Sequence, residues 1–191
     1  MPDLIRKLKS PHHLRQQIGG AIFLFLILFS KHGGAEPDRR WLIPIGAFLY
    51  VLGFAGRIWS SGFLVKNESL TTTGPYGYVR NPIYVCNLLL GFGLALLSGI
   101  YWGVFLLAIL YILCYAPGMR IEEENLRRRY PADFDPYASA VPLIFPRFRA
   151  VPGYGGDVWR YPAYAKNKEM WVTLGLLIGF GFVLWRRLCA S

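Results

Sequence analysis

Apolar residues occur in long blocks along this chain, and polar residues collect between the blocks. Uncharged blocks run from about 16 to 30, from 41 to 56 and from 170 to 185. A longer stretch, from 81 to 119, contains no Asp, Glu, Lys, Arg or His. A soluble domain of this length would place charges along every helix, so the pattern predicts an all-α integral membrane protein.

The longest uncharged stretch predicts a tight helical hairpin over residues 82–117. Asn81 suits a helix N-cap, and Pro82 suits the first helical turn. Residues 98–99 are Ser-Gly and predict a short turn, and Pro117 is expected to end the second helix. Because so short a turn allows only an antiparallel pair, the two outer ends of the hairpin should lie together at one membrane face.

The remaining blocks predict three further spans, which makes about five in all. The two blocks nearest the N-terminus are shorter than the ~20 residues that cross a bilayer. Lys31, Trp41 and Trp59 can anchor their ends at the interface. In the last block, Gly175 and Gly179 form a G-x-x-x-G, which allows close approach of another helix, either within the chain or in a homodimer.

Basic residues indicate the orientation of the spans. The chain has a net charge of +10, and basic residues concentrate at the cytoplasmic face of membrane proteins, where anionic lipid attracts them. With five spans, a basic arm at 1–17, a loop at 57–80 and a Pro- and Gly-rich cap at 118–169 lie in the cytoplasm. Arg186 and Arg187 conflict with this orientation, because they would lie outside.

Nucleic-acid binding and metal binding are both disfavoured. The basic residues sit at the ends of apolar blocks, as interface anchors do. The three cysteines have no metal-ligand spacing, and His12 and His13 have no third ligand nearby. The sequence therefore predicts membrane lipids as partners, no nucleic acid and no metal site.

The segment from 119 to 130 is expected to form a charged helix that emerges from the hairpin into water. Glu123 lies four residues before Arg127, and Glu124 lies four residues before Arg128. This spacing predicts two solvent-facing salt bridges, each contributing about a few tenths of a kcal/mol.

Glu122 lies on a different face of that helix. Its helical neighbours are Met119 and Leu126, so the carboxylate sits among apolar side chains and needs a partner. A cationic ligand would supply one. In the hairpin, Tyr76 and Tyr84 should lie at the same membrane face as Glu122, where their rings also suit a cation.

Asn81 allows two interpretations. As an N-cap, it would satisfy an N–H group in the first turn of the hairpin helix. The same helix terminus, with its N–H groups and partial positive charge, also suits an anion such as a carboxylate.

Taken together, these residues resemble a family of integral membrane methyltransferases. The motifs are Gly74-Pro75-Tyr76-x-x-x-Arg80-Asn81-Pro82-x-Tyr84, then the hairpin, Glu122-Glu123-x-x-Leu126 and Val141-Pro142. Their order is similar to that of the isoprenylcysteine carboxyl methyltransferases, a family that also includes phospholipid and small-thiol methyltransferases. The resemblance covers residues from about 60 to 146.

The resemblance implies that S-adenosylmethionine binds at the cytoplasmic face, between the hairpin and the cap. It implies catalytic roles for Glu122 and Arg120, although the family's substrate-contacting arginine falls on Gly118 here and Arg120 is only its nearby substitute. The implied cofactor contacts are Glu68, Ser69, Leu70, Thr71, Tyr76, Asn81, Pro82, Ile83, Tyr84 and Glu122. Where the family has histidine this chain has Asn81, which can hydrogen-bond but cannot titrate near neutrality.

The activity implied by the resemblance is methyl transfer to a lipophilic acceptor from the bilayer, with a carboxylate, amine or thiol as the accepting group. A membrane reductase that uses NADPH and a non-catalytic lipid-binding protein are the alternatives. We expect one membrane domain, 1–191, with the basic arm and two spans in 1–56. A methyltransferase core would occupy 57–150, and a linker and the last span would occupy 151–191.

Overall fold

The computed structural model describes residues 11–30, 39–64, 69–156, 158–166 and 169–188. Its helices are α1 (Pro11–Leu28), α2 (Leu42–Ser61), α3 (Pro82–Ser98), α4 (Gly103–Leu110), α5 (Ala116–Arg129), α6 (Pro131–Ala140), α7 (Tyr161–Lys166) and α8 (Glu169–Leu188). A 3₁₀ turn covers Gly74–Gly77, and a π-helical segment, Tyr111–Tyr115, joins α4 to α5. In this part of the chain no strand forms apart from an isolated bridge between Thr73 and Gly155, so the predicted all-α class is confirmed.

Three of the described helices are long and apolar enough to cross a membrane. They are α2, α8 and the continuous helix Gly103–Arg129. α3 and the Gly19–Leu28 part of α1 are apolar but shorter. The helices are therefore of the type found in membrane proteins, whereas the number of five spans, the cytoplasmic cap and the orientation stay predictions.

α1 and α2 both extend beyond their predicted ends. α1 begins at Pro11, whose fixed φ suits a first turn, so residues 11–15, which the prediction gives to the basic arm, are helical. α2 continues to Ser61, so the prediction of a loop from 57 onward is wrong for its first five residues. The helix can continue because Arg57, the charge that marks the predicted boundary, finds an acidic partner among the helices.

The turn of the hairpin is longer than predicted. Gly99 has a φ of 75°, which favours glycine and ends α3. The next helix, however, begins only at Gly103. α3 and α4 remain neighbours, as the hairpin requires.

The return helix of the hairpin does not end at Pro117, contrary to the prediction. In the π-helical segment before it, the N–H of Ala116 donates to the carbonyl of Tyr111, one residue further back than in an α-helix. The wider turn accommodates the proline ring, which would clash with the preceding turn of a regular α-helix. The helix therefore continues to Arg129, and Glu122 lies on the same continuous helix as the return arm of the hairpin.

α2 packs along α3 at the centre of the molecule. A Cβ added at Gly93 would lie 2.6 Å from the backbone nitrogen of Tyr50 and 2.7 Å from the carbonyl oxygen of Gly46. The two helix backbones thus approach as closely as glycine allows. Buried apolar side chains of α1, α2, α3 and α8 surround this contact: Leu26, Tyr50, Leu90, Leu94, Leu97 and Val183.

Replacing Gly93 by alanine is expected to destabilise the protein, because the new methyl group would meet backbone atoms. Overpacking of this kind costs about 1–3 kcal/mol, or roughly 2–12 °C in Tm for a chain of this size. Gly91→Ala is the matched control, since its Cβ would approach only the Leu107 side chain, at 3.4 Å. Thermal unfolding in detergent measures both variants, and equal Tm values would contradict the close approach of α2 and α3.

α8 contacts α1 through Gly179. A Cβ at this glycine would meet Ile27 at 2.6 Å and Phe23 at 2.9 Å, whereas nothing lies within 4 Å of one at Gly175. Gly179 therefore serves packing within the chain, the first of the two roles that its motif predicts. A homodimer through Gly175 and Gly179 stays a prediction.

The two arginines that conflict with the predicted orientation are held at the end of α8. Arg187 is buried, and Nη1 of Arg186 donates to the carbonyl oxygen of Leu28 in α1, at 3.0 Å. Arg186 therefore contacts α1 and Arg187 is enclosed among the helices, whereas the orientation of the spans stays a prediction.

Candidate functional site

A hydrogen bond closes the outer end of the hairpin. The hydroxyl of Tyr84, in the first turn of α3, donates to Oε2 of Glu122 in α5 at 2.9 Å. Both side chains are half-buried. The prediction that the hairpin brings Tyr84 and Glu122 together is therefore confirmed.

The neighbouring glutamate makes a different ion pair from the one predicted. Oε1 of Glu123 lies 2.8 Å from Nε of Arg80, the residue before Asn81. Arg127 instead pairs with Asp135, at 2.7 Å. The predicted Glu123–Arg127 bridge is wrong because Arg80 offers a half-buried partner, and such a pair is screened less by water than one on the open helix surface. This pair also fixes the start of α3 to α5, next to Glu122.

Tyr76 lies in the 3₁₀ turn of the motif and is buried. Its backbone carbonyl accepts a hydrogen bond from the hydroxyl of Tyr137 in α6, at 2.8 Å. Burial, followed by repulsion from the ionised forms of Tyr137 and Glu122, raises the pKa of the Tyr76 hydroxyl. The motif is thus packed between the hairpin and the cap.

Asn81 occupies the N-cap position of α3 without capping the helix through its side chain. Its Nδ2 donates instead to the carbonyl oxygen of Leu143 in the cap, at 3.4 Å. The interpretation of this side chain as an N-cap is therefore wrong, since a tertiary contact takes the place of the local one. Its own carbonyl accepts the N–H of Val85, as expected at a helix start.

The other predicted site residues differ in how deeply they are buried. Ser69 is exposed, Leu70, Thr71 and Ile83 are half-buried, Pro82 is buried, and Glu68 lies outside the described residues. Arg120 is exposed, and residues two apart do not share a helix face, so it is not brought to the Glu122 carboxylate. Gly118 is buried. The roles of all these residues stay predictions.

A row of tyrosine rings, which the sequence pattern does not predict, leads from Glu122 into the apolar region. The ring of Tyr84 meets that of Tyr115 edge-on, with centroids 5.7 Å apart. Tyr115 in turn stacks on Tyr111, at 5.3 Å. The hydroxyl of Tyr111 is buried and has no hydrogen-bond partner among the described residues. Its four-residue spacing from Tyr115 within an uncharged helix is the signal that could have revealed it.

A buried ion pair was also missed. Arg57 of α2 donates from Nε and Nη2 to the two carboxylate oxygens of Glu169 in α8, at 3.1 and 3.0 Å. Its Nη1 donates to Oδ1 of Asn87 in α3, at 2.5 Å. One side chain therefore joins three helices close to the candidate site. Only the presence of a single Arg beside an apolar block hints at this in the sequence.

Taken together, these observations define a class of protein: a helical membrane protein with a polar site, centred on one carboxylate, at the end of an apolar hairpin. The sequence profile of the family described as phospholipid methyltransferase matches residues 44–133, which contain this hairpin and Glu122. The chain belongs to that family, as its motifs predict.

Two relatives extend the likeness beyond the family profile. The cobalt-zinc-cadmium resistance protein CzcN of Cupriavidus metallidurans is 32% identical over 147 aligned residues, and the match covers 73% of this chain and 68% of that protein. The nickel-cobalt-cadmium resistance protein NccN of Alcaligenes xylosoxydans xylosoxydans is 33% identical over 121 residues, with 60% of this chain and 56% of that protein covered. The chain thus spans little more than half the length of NccN. No solved structure matches the chain.

Proposed function

We propose that this protein transfers a methyl group from S-adenosylmethionine to a lipophilic acceptor at the cytoplasmic face of a membrane. The observation that carries the proposal is the Tyr84–Glu122 hydrogen bond, which places a carboxylate beside an aromatic side chain at the outer end of the hairpin. Membership of a methyltransferase family supports the reaction type.

The side chains at this site fit the chemistry of S-adenosylmethionine. Its sulfonium and ammonium groups are cations, which the carboxylate of Glu122 and the rings of Tyr84 and Tyr115 would attract. Its carboxylate would suit the first turn of α3, where the side chain of Asn81 makes no capping hydrogen bond. The segment 69–71 would form a further wall.

When bound, S-adenosylmethionine supplies a methyl group that is already activated by its positive sulfur. The sulfur would keep the electron pair of its bond to the methyl carbon, so the acceptor would need only a free lone pair. The protein's contribution is to hold acceptor and methyl group in line, by fixing the hairpin end through the Tyr84–Glu122 and Arg80–Glu123 contacts. A carboxylate acceptor needs no base, whereas an amine or thiol must lose a proton, which Glu122 or water would take.

We propose that the acceptor reaches this site sideways from the bilayer. The row from Tyr84 through Tyr115 to Tyr111 supports such a route, since it runs from the carboxylate into the apolar part of the hairpin. The proposed catalytic core is 57–150, which contains both the motif and the return helix.

Calorimetric titration of the purified protein with S-adenosylhomocysteine tests cofactor binding, with NADPH as the parallel titration. Binding of S-adenosylhomocysteine alone is the expected result. A folded protein that binds neither would support the lipid-binding alternative, and binding of NADPH alone would support the reductase.

The acceptor can be sought by incubating membranes that contain the protein with methyl-labelled S-adenosylmethionine. Label is expected in a lipophilic product rather than in a soluble one. Because the relatives are named for metal resistance, membranes from cells grown with and without cadmium should both be used. Equal labelling with a Glu122→Ala variant would contradict the proposed site.

A further inference from the structure

A short loop of the cap exposes alternating aromatic and basic side chains. We define the Phe-Arg loop as residues 145–149, Phe-Pro-Arg-Phe-Arg. Phe145 is 84% exposed and Phe148 is 105% exposed, so both rings stand clear of the protein. Arg147 and Arg149 beside them are also exposed. Moving two such large apolar rings from water into an apolar environment would be favourable.

A hydrogen bond and a ring contact link this loop to the end of α2. The N–H of Arg147 donates to the carbonyl of Tyr78, at 3.1 Å. The ring of Tyr78 in turn meets that of Trp59, in the last turn of α2, with centroids 5.9 Å apart. Since α2 is long and apolar enough to cross a membrane, its end marks the level of the interface. The Phe-Arg loop therefore lies at that level.

Further aromatic side chains gather at the same end of α2. Nε1 of Trp159 donates to the carbonyl oxygen of Ile58, at 3.2 Å, and the ring of Tyr161 lies 6.4 Å from that of Trp159. Trp and Tyr are enriched where a membrane protein passes through the headgroup region. This belt supports the placement of the loop at the bilayer surface, by contacts that do not involve the loop itself.

The Phe-Arg loop lies in a segment of positive charge. No Asp or Glu occurs from 136 to 156, whereas Arg147 and Arg149 lie within that range. Arg160, beside the aromatic belt, is exposed as well. Anionic lipid headgroups attract basic residues at this level by about a fivefold gain in affinity for each residue.

We propose that the Phe-Arg loop docks on anionic phospholipids, with Phe145 and Phe148 below the headgroups and Arg147 and Arg149 at the phosphates. Phe145 and Arg147 also line an open groove of about 470 Å³ beside the end of α6, which gives room for a headgroup. The groove wall includes Leu143, whose carbonyl binds Asn81. Docking therefore holds the cap against the bilayer over the start of α3. The proposal rests on exposure, charge and position, and it does not depend on methyl transfer.

A fluorescent label at residue 148 tests the proposal in the full chain. The three cysteines are replaced by serine, Phe148→Cys is labelled with an environment-sensitive dye, and the protein is placed in nanodiscs of phosphatidylcholine with phosphatidylglycerol. Brominated lipids are expected to quench this dye strongly. Ala132→Cys, exposed on α6 of the same cap, is the matched control and should be quenched little.

The preference for anionic lipid is measured by comparing quenching by brominated phosphatidylglycerol and brominated phosphatidylcholine. Replacing Arg147 or Arg149 by glutamine should lower this preference by about fivefold each. Equal quenching at 148 and 132 would overturn the docking of the loop. Quenching at 148 that is the same for both lipids would overturn the anionic specificity. Each labelled variant is taken as folded when its Tm equals that of the unlabelled cysteine-free protein.

Discussion

Replacing Glu122 by alanine is expected to lower the affinity for S-adenosylhomocysteine by about 10- to 100-fold. The variant removes a half-buried carboxylate that would pair with the ammonium group of the ligand, and it removes the acceptor that holds the hydroxyl of Tyr84. Isothermal titration calorimetry on the purified protein measures the loss. Glu122→Gln keeps an acceptor for Tyr84 but not the charge, so it separates the two contributions.

Glu124→Ala is the matched control for this prediction. Glu124 lies on the same helix, carries the same charge and is exposed. Its removal should leave the affinity almost unchanged. If the two alanine variants weaken binding equally, net charge rather than the Glu122 face is responsible. If Glu122→Ala binds as the unchanged protein does, the carboxylate is not a ligand contact.

The Tyr84–Glu122 contact could be predicted because its causes are local. A short turn between two uncharged helices brings their outer ends together, and the spacing of Met119 and Leu126 places Glu122 on the apolar face. The contact survives even though the turn is longer than predicted and the return helix continues past Pro117. Both errors concern where helices start and stop, and the pairing of the helices does not depend on them.

The errors at Asn81 and Glu123 have a common cause. In each case a favourable local partner exists, a helix N–H for Asn81 and Arg127 for Glu123. In each case a residue distant in sequence takes its place, Leu143 and Arg80 respectively. Local contacts of this kind contribute only about 0.2–0.5 kcal/mol for a helix ion pair and typically about 1 kcal/mol for an N-cap. A half-buried tertiary partner is therefore enough to replace them, and sequence spacing cannot reveal it.

The Arg57–Glu169 pair could not be predicted from local sequence spacing at all. Its members are 112 residues apart along the chain, and they meet only because α2 and α8 pack together. From the sequence, Arg57 is expected in a loop, because a charge next to an apolar block usually marks the end of a span. Once Glu169 and Asn87 are in contact with it, the same charge is compatible with a helix that continues to Ser61.

Arg57→Gln is expected to destabilise the protein by about 3–5 kcal/mol, because it leaves the carboxylate of Glu169 without its counter-charge among the helices. The pair is well shielded, with the Arg57 and Glu169 side chains only 15% and 10% exposed. At least about 6 °C of Tm should be lost in a chain of this size. Thermal unfolding in detergent measures the effect, and the α2–α8 contact should loosen before the α2–α3 contact does.

Two comparisons decide whether the burial of this pair is the cause. Arg127→Gln breaks a pair of the same chemistry whose side chains are 55% and 60% exposed, and it should change Tm little. The double variant Arg57→Leu with Glu169→Leu removes both charges and should recover most of the loss, because no uncompensated carboxylate remains. A double variant as unstable as Arg57→Gln would show that shape or the Asn87 contact, rather than charge compensation, holds α8 to the candidate site. An Arg57→Gln variant as stable as Arg127→Gln would show that water reaches the pair, and α8 would then be held by apolar packing alone.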